Sequence, residues 1–215
     1  MRRTVRNFTA IDVPQRSPEW FAARLGRVTG STASDMLART KSGWGASRDN
    51  LLWSLVLERT TGKPQDSGYA SAAMSQGIDR EPMAVAAYEA LTGHLVRSCG
   101  FLRHDALMAG ASLDGYLGDF AVLISIKCRQ PKAHAEHVLS GKVPADALAQ
   151  MRHELWLTGA SDHHYVSFNP DFPDSQQLRV KVFTRAELDV DGYERELLAF
   201  LADVSAAEAK LRAAA

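Results

Sequence analysis

A serine and a lysine lie two residues apart in an apolar run that starts at Val122 and ends at Cys128. The run reads V-L-I-S-I-K-C, a pattern that predicts a buried β-strand. Because alternate residues of a strand share a face, Ser125 and Lys127 point in the same direction. Asp114 precedes them by a short loop. The spacing predicts a carboxylate that faces a lysine from a neighbouring strand.

This pair of groups suits phosphodiester hydrolysis. A carboxylate can hold a divalent cation, while a lysine orients water or offsets the developing negative charge. Mg²⁺ prefers oxygen ligands and keeps several waters, so few protein groups suffice. Each stretch also has a purely structural interpretation. S-I-K alone fits an edge strand with a solvated lysine, and Asp114-Gly115 alone fits a hairpin turn. A second acid beside the lysine is missing.

Five stretches of the chain, taken in order, resemble one family. They are EWFAARLGRVTGS at 19–31, QGIDREPMAVAAYEALTG at 76–93, ASLDG at 111–115, SIKC at 125–128 and AQMRHELWLTG at 149–159. Together they resemble the YqaJ-like alkaline exonucleases, the phage-recombinase branch of the PD-(D/E)xK nuclease superfamily typified by bacteriophage lambda exonuclease. The resemblance implies an α/β fold with a restriction-endonuclease-like core, in which helices flank a small central mixed sheet.

The resemblance also implies a catalytic centre. Asp114 matches the aspartate that binds the metal, with the Ile126 carbonyl beside it, and Lys127 matches the catalytic lysine. Glu81, in the stretch G-I-D-R-E, matches a helix-borne glutamate of the same centre. Without the resemblance, Glu81 reads as a partner of the helix dipole in a first turn. The implied cofactor is Mg²⁺ or Mn²⁺.

A second site implied by the resemblance binds the 5′-phosphate of a DNA end. Arg24, Ser31 and Ser112 match its arginine and small hydroxyl residues. This chemistry is sensible, because a guanidinium presents a fork of donors and a serine presents a short, adjustable one. From the residues alone, Ser31 reads as a helix cap and Arg24 as a surface residue.

Ser125 departs from the family pattern, since it stands where the acid of the acid-x-Lys strand is expected. A neutral hydroxyl is a poor ligand for a hard cation, so metal affinity and rate should both fall. Three explanations are open. The serine is an inactivating substitution made on purpose, or it is natural in a protein that binds DNA without cutting it, or the acid comes from another position.

Two glutamates on later helical segments are candidates for that other position, and Glu154 ranks above Glu136. Glu154 shares a helix face with Gln150, four residues before it, and Gln150 matches a glutamine common in the family. Arg152 falls inside the apolar arc of the same helix, where it either points into the active centre or reaches the surface.

The function implied by the resemblance is a metal-dependent 5′-to-3′ exonuclease on linear double-stranded DNA, which leaves 3′ single-stranded tails for phage-type homologous recombination. The implied partners are double-stranded DNA ends, two further copies in a ring-shaped homotrimer, and a single-strand-annealing recombination protein. The alternatives are a non-catalytic DNA-end-binding protein and a structure-specific or restriction-type endonuclease.

Composition agrees with one domain spanning residues 1–215. Its 25 basic and 25 acidic residues cancel, which argues against a general basic surface that coats nucleic acid. No long apolar run or secretory signal is present, so we expect a cytoplasmic protein, of phage or prophage origin in a bacterial host. Cys99 and Cys128 are expected to be buried thiols.

The coarse pattern predicts helices that flank short strands. Helices are expected at 17–25, from a point near Thr32, from about 51 to Gly62, at 78–91, at 144–158, and from about 185 to the end, where Thr184 and Glu187 form a capping box. Strands are expected within 94–103 and 107–112 and at 121–128, 164–169 and 178–183. Segments 39–49 and 63–77 are expected to be loops, the first of them mobile.

Overall fold

Helices and short strands alternate along residues 6–65 and 72–214, the parts of the chain that the computed structural model describes. The helices are α1 Pro18–Arg24, α2 Ala33–Met36, α3 Ala46–Thr61, α4 Ala72–Thr92, α5 Pro131–Ser140, α6 Ala145–Thr158 and α7 Val190–Ala213. The strands are β1 Phe8–Ile11, β2 Val28–Thr29, β3 Arg39–Thr40, β4 Gly43–Trp44, β5 Phe101–His104, β6 Ala109–Ala111, β7 Gly115–Leu117, β8 Val122–Cys128, β9 Asp162–Phe168 and β10 Leu178–Thr184. A 3₁₀ turn at Gly30–Thr32 joins β2 to α2.

The strands form two four-stranded mixed sheets and one small hairpin. The sheets have the orders β1-β5-β6-β2 and β10-β9-β8-β7, and β3 pairs with β4. Parallel pairing joins β2 to β6 and β8 to β9, and the other strand pairs are antiparallel. The predicted α/β class with a mixed sheet flanked by helices is confirmed, although hydrogen bonding divides the predicted single sheet into two.

Strand β8 is the interior strand that carries the predicted chemistry. Ile124 and Ile126 pack in one core cluster with Tyr88 of α4, while Leu123 packs in another with Leu155 of α6. Burial on both faces explains why the strand is a nearly continuous apolar run. Because alternate residues share a face, the two polar side chains of β8 point toward α6.

Helix α7 begins later than the sequence predicts. The predicted capping box does form, because Glu187 accepts from the Thr184 N–H at 2.7 Å and donates its own N–H to the Thr184 hydroxyl at 3.3 Å. It closes a turn rather than a helix, however, and α7 starts at Val190 after Asp189, whose side chain accepts from the Gly192 N–H. The prediction of a helix from about 185 is therefore wrong by five residues.

Three other boundaries differ from the predictions. The expected mobile loop at 39–49 contains the β3–β4 hairpin and the first turn of α3, where Arg48 is buried and donates to the Met36 carbonyl. Helix α4 begins at Ala72, not residue 78, and contains Pro82 in its interior. Of the predicted loop at 63–77, residues 66–71 lie outside the described residues.

Within the described residues, no helix has the length and apolarity needed to cross a membrane.

Candidate active site

The carboxylate of Asp114 lies where β7 and β8 meet, and two donors contact the same oxygen. The backbone N–H of Ile126 donates to Asp114 Oδ2 at 2.8 Å. Lys127 Nζ lies 3.5 Å from that oxygen. The strand pair therefore brings together the aspartate and the lysine that the sequence predicted as partners.

Two charges control the protonation of Lys127. Burial lowers the pKa of its ammonium group, but the nearby charges of Asp114 and Glu154 outweigh burial and hold that pKa above its usual value. The lysine is consequently a fixed positive charge at neutral pH. A fixed ammonium group can stabilise negative charge but does not act as a base there.

Glu81 of α4 lines the same cavity as Asp114. The cavity has a volume of about 340 Å³, and Val85, Val96 and Ser98 line it as well. Burial raises the pKa of the Glu81 carboxyl group and the charge of Asp114 raises it further, while Arg16 and Lys127 lower it in part. A carboxyl group whose ionisation is disfavoured by a second carboxylate across one cavity suits a cation between the two.

This set of oxygen donors fits a magnesium ion that is loosely held. Asp114 Oδ2 is occupied by its two donors, and the residue as a whole lines the cavity. The N–H and C=O of one strand residue point to the same strand edge, so the Ile126 carbonyl faces the edge that Asp114 occupies. Among the described residues, no group of three His, Cys, Asp or Glu side chains is arranged to hold a metal. Two carboxylates and a carbonyl suit Mg²⁺, which keeps several waters, better than a tightly coordinated metal.

Ser125 lies beneath this centre and is only 1% exposed. Within the described part of the chain, its hydroxyl has no hydrogen-bond partner. The position of the expected acid therefore holds a small, neutral and buried group. The structure supplies no carboxylate at this position of the strand.

On the face of β8 that Ser125 shares, Lys127 begins a series of hydrogen-bonded side chains. Its Nζ donates to Gln150 Oε1 at 3.2 Å, and Gln150 Nε2 donates to Glu154 Oε1 at 2.7 Å. The second oxygen of Glu154 accepts from His163 Nε2 of β9 at 2.7 Å. Glu154 and His163 are fully buried. Gln150 and Glu154 thus lie on the active-site face of α6.

Arg152 and Glu136, the two other candidates for the active centre, lie away from it. Arg152 Nε donates to the Leu188 carbonyl at 2.8 Å, in the segment that precedes α7. Residue 152 is about 200° around the helix from residue 150, so the two side chains leave opposite faces of α6. The interpretation that pointed Arg152 into the active centre is therefore corrected. Glu136 is exposed on α5, with Lys132 as its neighbour.

The three residues predicted to bind phosphate form a second cluster. Arg24 Nη2 donates to the Ser31 hydroxyl at 3.1 Å, and Arg24 Nη1 lies 3.4 Å from the Ser112 hydroxyl. Burial lowers the pKa of Arg24 to about 10, with Glu58 opposing that shift, so the guanidinium stays charged at neutral pH. Ser112 precedes Asp114 by two residues, roughly 7 Å along an extended chain. The two predicted sites are therefore adjacent.

Trp20 and Thr29 belong to this cluster, although sequence reasoning did not select them. Trp20 Nε1 donates to the Ser112 hydroxyl at 2.8 Å, and the Arg24 guanidinium lies 4.1 Å from the Trp20 ring. Thr29 Oγ1 lies 3.1 Å from Ser31 Oγ. Trp20 lies four residues before Arg24 on α1, a spacing that could have indicated a cation–π pair. No local signal selects Thr29.

His163 was also missed, and no local signal selects it. It contacts Glu154 only because parallel pairing sets the register of β9 against β8, with Leu123 opposite His163. Register of this kind depends on the whole sheet and not on residue spacing.

Comparisons with known proteins agree with this fold. A family described as "YqaJ-like viral recombinase domain" matches residues 19–161. The crystal structure of the alkaline exonuclease LHK-Exo from Laribacter hongkongensis is 36% identical, covers 91% of this chain and 96% of its own, and has a TM-score of 0.81. The structure of LHK-Exo in complex with dAMP gives the same values. No curated protein matches significantly.

A phage-related exonuclease from Haemophilus somnus 129PT shares the fold at 12% identity, with a TM-score of 0.65 and coverage of 86% of this chain and 96% of its own. At this identity, the likeness supports the fold alone. The family match extends over more than half of the 215 residues and includes Asp114, Lys127 and the cluster around Arg24, although it ends before His163. The chain belongs to the family of YqaJ-like viral recombinase domains.

Proposed function

We propose that this protein is a metal-dependent 5′-to-3′ exonuclease that degrades one strand of linear double-stranded DNA and leaves 3′ single-stranded tails. A nuclease role is supported by the family and by the likeness to an alkaline exonuclease. The observation that carries the finer proposal is the contact of 3.5 Å between Lys127 Nζ and Asp114 Oδ2, next to a cavity that Glu81 also lines.

Lys127 and Asp114 have separate tasks in this proposal. The Ile126 N–H and the Lys127 ammonium group hold one oxygen of Asp114, so the carboxylate cannot rotate freely. The ammonium group in turn lies where it can stabilise negative charge on a phosphodiester under attack. Burial makes that charge more effective, because fewer water molecules screen it.

Asp114, Glu81 and the Ile126 carbonyl are the groups that would hold Mg²⁺ or Mn²⁺. When bound, the ion supplies Lewis-acid activation of water and of a phosphate oxygen. Burial and Asp114 raise the pKa of Glu81, and a cation bound beside it would lower that pKa and favour the charged form.

The proposed 5′-to-3′ direction of degradation rests on the Arg24 cluster, which consists of Arg24, Ser31 and Ser112. A terminal 5′-phosphate accepts readily from a guanidinium and two hydroxyl groups, whereas an internal phosphodiester has fewer free oxygens to offer. Arg24, Ser31 and Ser112 provide such donors close to Asp114. Binding of the terminal phosphate there would place a nearby phosphodiester at the carboxylates.

Ser125 favours a second candidate function, a protein that binds DNA ends without cutting them. The buried hydroxyl replaces the carboxylate expected beside Lys127, and it has no partner among the described residues. The Arg24 cluster would still bind a 5′-phosphate. This candidate therefore shares the phosphate site with the exonuclease and differs from it only in hydrolysis.

Further parts of the proposal concern partners and setting. We propose a ring-shaped homotrimer that works with a single-strand-annealing recombination protein in the bacterial cytoplasm, in a phage or prophage context. The support for these parts is the family membership.

A comparison of two DNA substrates tests the proposed function. Linear 5′-phosphorylated duplex and closed circular duplex are incubated with Mg²⁺, and acid-soluble nucleotide is measured. We expect loss of the linear form alone, and we expect Lys127→Met to abolish that loss while Lys132→Met, whose native side chain is 91% exposed, behaves as wild type. Cutting of circles would indicate an endonuclease, and end binding without nucleotide release would indicate the second candidate.

A further inference from the structure

A chain of hydrogen-bonded side chains runs from β8 through α6 to β9, and its buried end takes no part in the proposed chemistry. Lys127, Gln150, Glu154 and His163 are joined by three successive contacts of 3.2, 2.7 and 2.7 Å. Only Lys127 reaches the candidate centre. Glu154 is fully buried, so it cannot meet DNA or a hydrated ion from this position.

The Gln150 amide has one orientation that satisfies both neighbours. An ammonium group can only donate and a carboxylate can only accept, so the amide oxygen must face Lys127 and the amide nitrogen must face Glu154. Turning the amide over would place two donors at Lys127 and two acceptors at Glu154. The carboxylate and the ammonium group therefore favour the same orientation of the amide, and Glu154 holds it from the nitrogen end.

Glu154 is itself held on two sides. His163 Nε2 donates to one of its oxygens, and Gln150 donates to the other. A buried carboxylate is costly unless it is paired and hydrogen-bonded, and here both oxygens are satisfied. Gly30, at the start of the 3₁₀ turn, lets α6 approach, since an added Cβ would lie 3.3 Å from Glu154 Oε1 and 3.2 Å from Gln150 Cγ.

We propose that Glu154 is a positioning residue, anchored by His163, that orients the Gln150 amide so that its oxygen holds the Lys127 ammonium group beside Asp114. This inference rests on the proposed nuclease function. It assigns Glu154 a task other than that of a displaced metal ligand. It also gives His163 a task in activity, at a distance from the reacting groups.

Steady-state kinetics on linear 5′-phosphorylated duplex test the inference. Glu154→Gln keeps the size of the side chain but lets it donate as well as accept, so the contact that holds the Gln150 amide by its nitrogen is weakened. We expect kcat to fall about tenfold, with KM for DNA ends and the half-saturating Mg²⁺ concentration unchanged. Glu136→Gln, an exposed glutamate on the neighbouring helix, is the matched control and should match wild type.

Three outcomes of these measurements would overturn the inference. A raised half-saturating Mg²⁺ concentration would make Glu154 a metal ligand. An unchanged kcat with lowered thermal stability would make Glu154 purely structural. If Glu154 acts through Gln150, the double variant Gln150→Leu/Glu154→Gln should be no slower than Gln150→Leu alone. Additive losses of kcat in the double variant would therefore mean that Glu154 does not act through Gln150.

A second pair of variants keeps the test open if Glu154→Gln does not fold. His163→Gln retains an amide donor for Glu154 and should keep kcat within about threefold of wild type. His163→Phe removes the donor and should lower kcat about as far as Glu154→Gln. Equal kcat values for the two variants at position 163 would contradict the anchoring role.

A crystal structure of the Glu154→Gln variant separates this inference from the proposed function. If wild type releases no nucleotide, the proposed nuclease function fails, and the contact between Lys127 Nζ and Gln150 Oε1 still decides the positioning role. We expect that contact to be lost. Its persistence at 3.2 Å would overturn the inference, whatever the activity.

Discussion

The backbone N–H of Ile126 donates to Asp114 Oδ2 across 2.8 Å, so the main chain of β8 fixes the carboxylate at the end of β7. The side chain of Ile126 has no part in this bond, since it packs in the core with Ile124. The orientation of Asp114 therefore depends on strand pairing. The same pairing delivers Lys127 to the same oxygen.

Asp114→Asn should lower activity strongly and spare the fold. An asparagine oxygen can still accept from Ile126, whereas the negative charge that attracts a cation is lost. We expect a rate lower by about 10²–10³-fold, with a melting temperature close to that of wild type. Nucleotide release and thermal unfolding are the measurements. Asp119→Asn, at an exposed side chain that pairs with Arg6, is the control for nucleotide release and should leave it unchanged.

Ser125→Glu should increase activity, because it supplies an anionic oxygen donor next to Lys127. We expect a gain of at least about tenfold at Mg²⁺ concentrations below saturation, together with a lower half-saturating concentration. The control is Ser125→Gln, which has the same size without the charge and should show no gain. Equal rates for the glutamate variant and wild type would mean that the buried hydroxyl does not limit hydrolysis.

Arg24→Gln should weaken recognition of the DNA end. The guanidinium contacts Ser31 and lies over the Trp20 ring, so its removal takes the charge out of the cluster while the two serines remain. We expect KM for 5′-phosphorylated duplex to rise about 10–100-fold, a loss of one charge-assisted contact. Duplex with a 5′-hydroxyl is the internal control, since wild type and variant should treat it alike. A preference for the phosphate that survives in the variant would place the phosphate site elsewhere.

Acid should destabilise the fold through His153. Its Nε2 donates to the Gly110 carbonyl at 2.9 Å and its Nδ1 accepts from the Tyr193 hydroxyl at 2.6 Å, so the ring is held neutral. Burial lowers the pKa of His153 from 6.5 to about 4, although the Gly110 carbonyl opposes that shift. The unfolded chain binds the proton more tightly than the folded one does. This contribution to stability is therefore complete above pH 6.5 and is lost as the pH falls toward 4.

Urea unfolding at pH 7.5 and pH 4 measures this effect. Between these two pH values, wild type should lose ~3 kcal/mol of unfolding free energy more than His153→Gln, which has no titrating group at the position. The same loss in both proteins would assign the acid sensitivity to other groups.

The local sequence pattern was sufficient to predict the helices and strands named here that surround the candidate site. The apolar run of β8 predicted a strand with Ser125 and Lys127 on one face, and Ser17 with Pro18 predicted the start of α1, where Ser17 accepts from the Trp20 N–H. These features depend on residues within one turn or one strand. Neighbours in the sequence decide them, and they were confirmed.

Boundaries set by distant contacts were predicted less well. The capping box at Thr184 is real, yet it closes a turn, and α7 starts only where Val190 is buried in the core. The β3–β4 hairpin replaced a predicted loop, and Arg48 became buried beside the Trp44 ring. Burial against other elements outweighed local propensity in both places.

The sequence by itself determined the family, the α/β class and the residue types that carry the candidate chemistry, because motifs and periodicity are properties of short stretches. Only the tertiary structure decided that Trp20 meets Ser112 across 92 positions, and that Glu154 is anchored on His163 instead of facing the cavity. Such contacts depend on sheet register and on which face of α6 meets β8. Those relations are fixed by the packing of the whole core, and no single stretch of the chain encodes them.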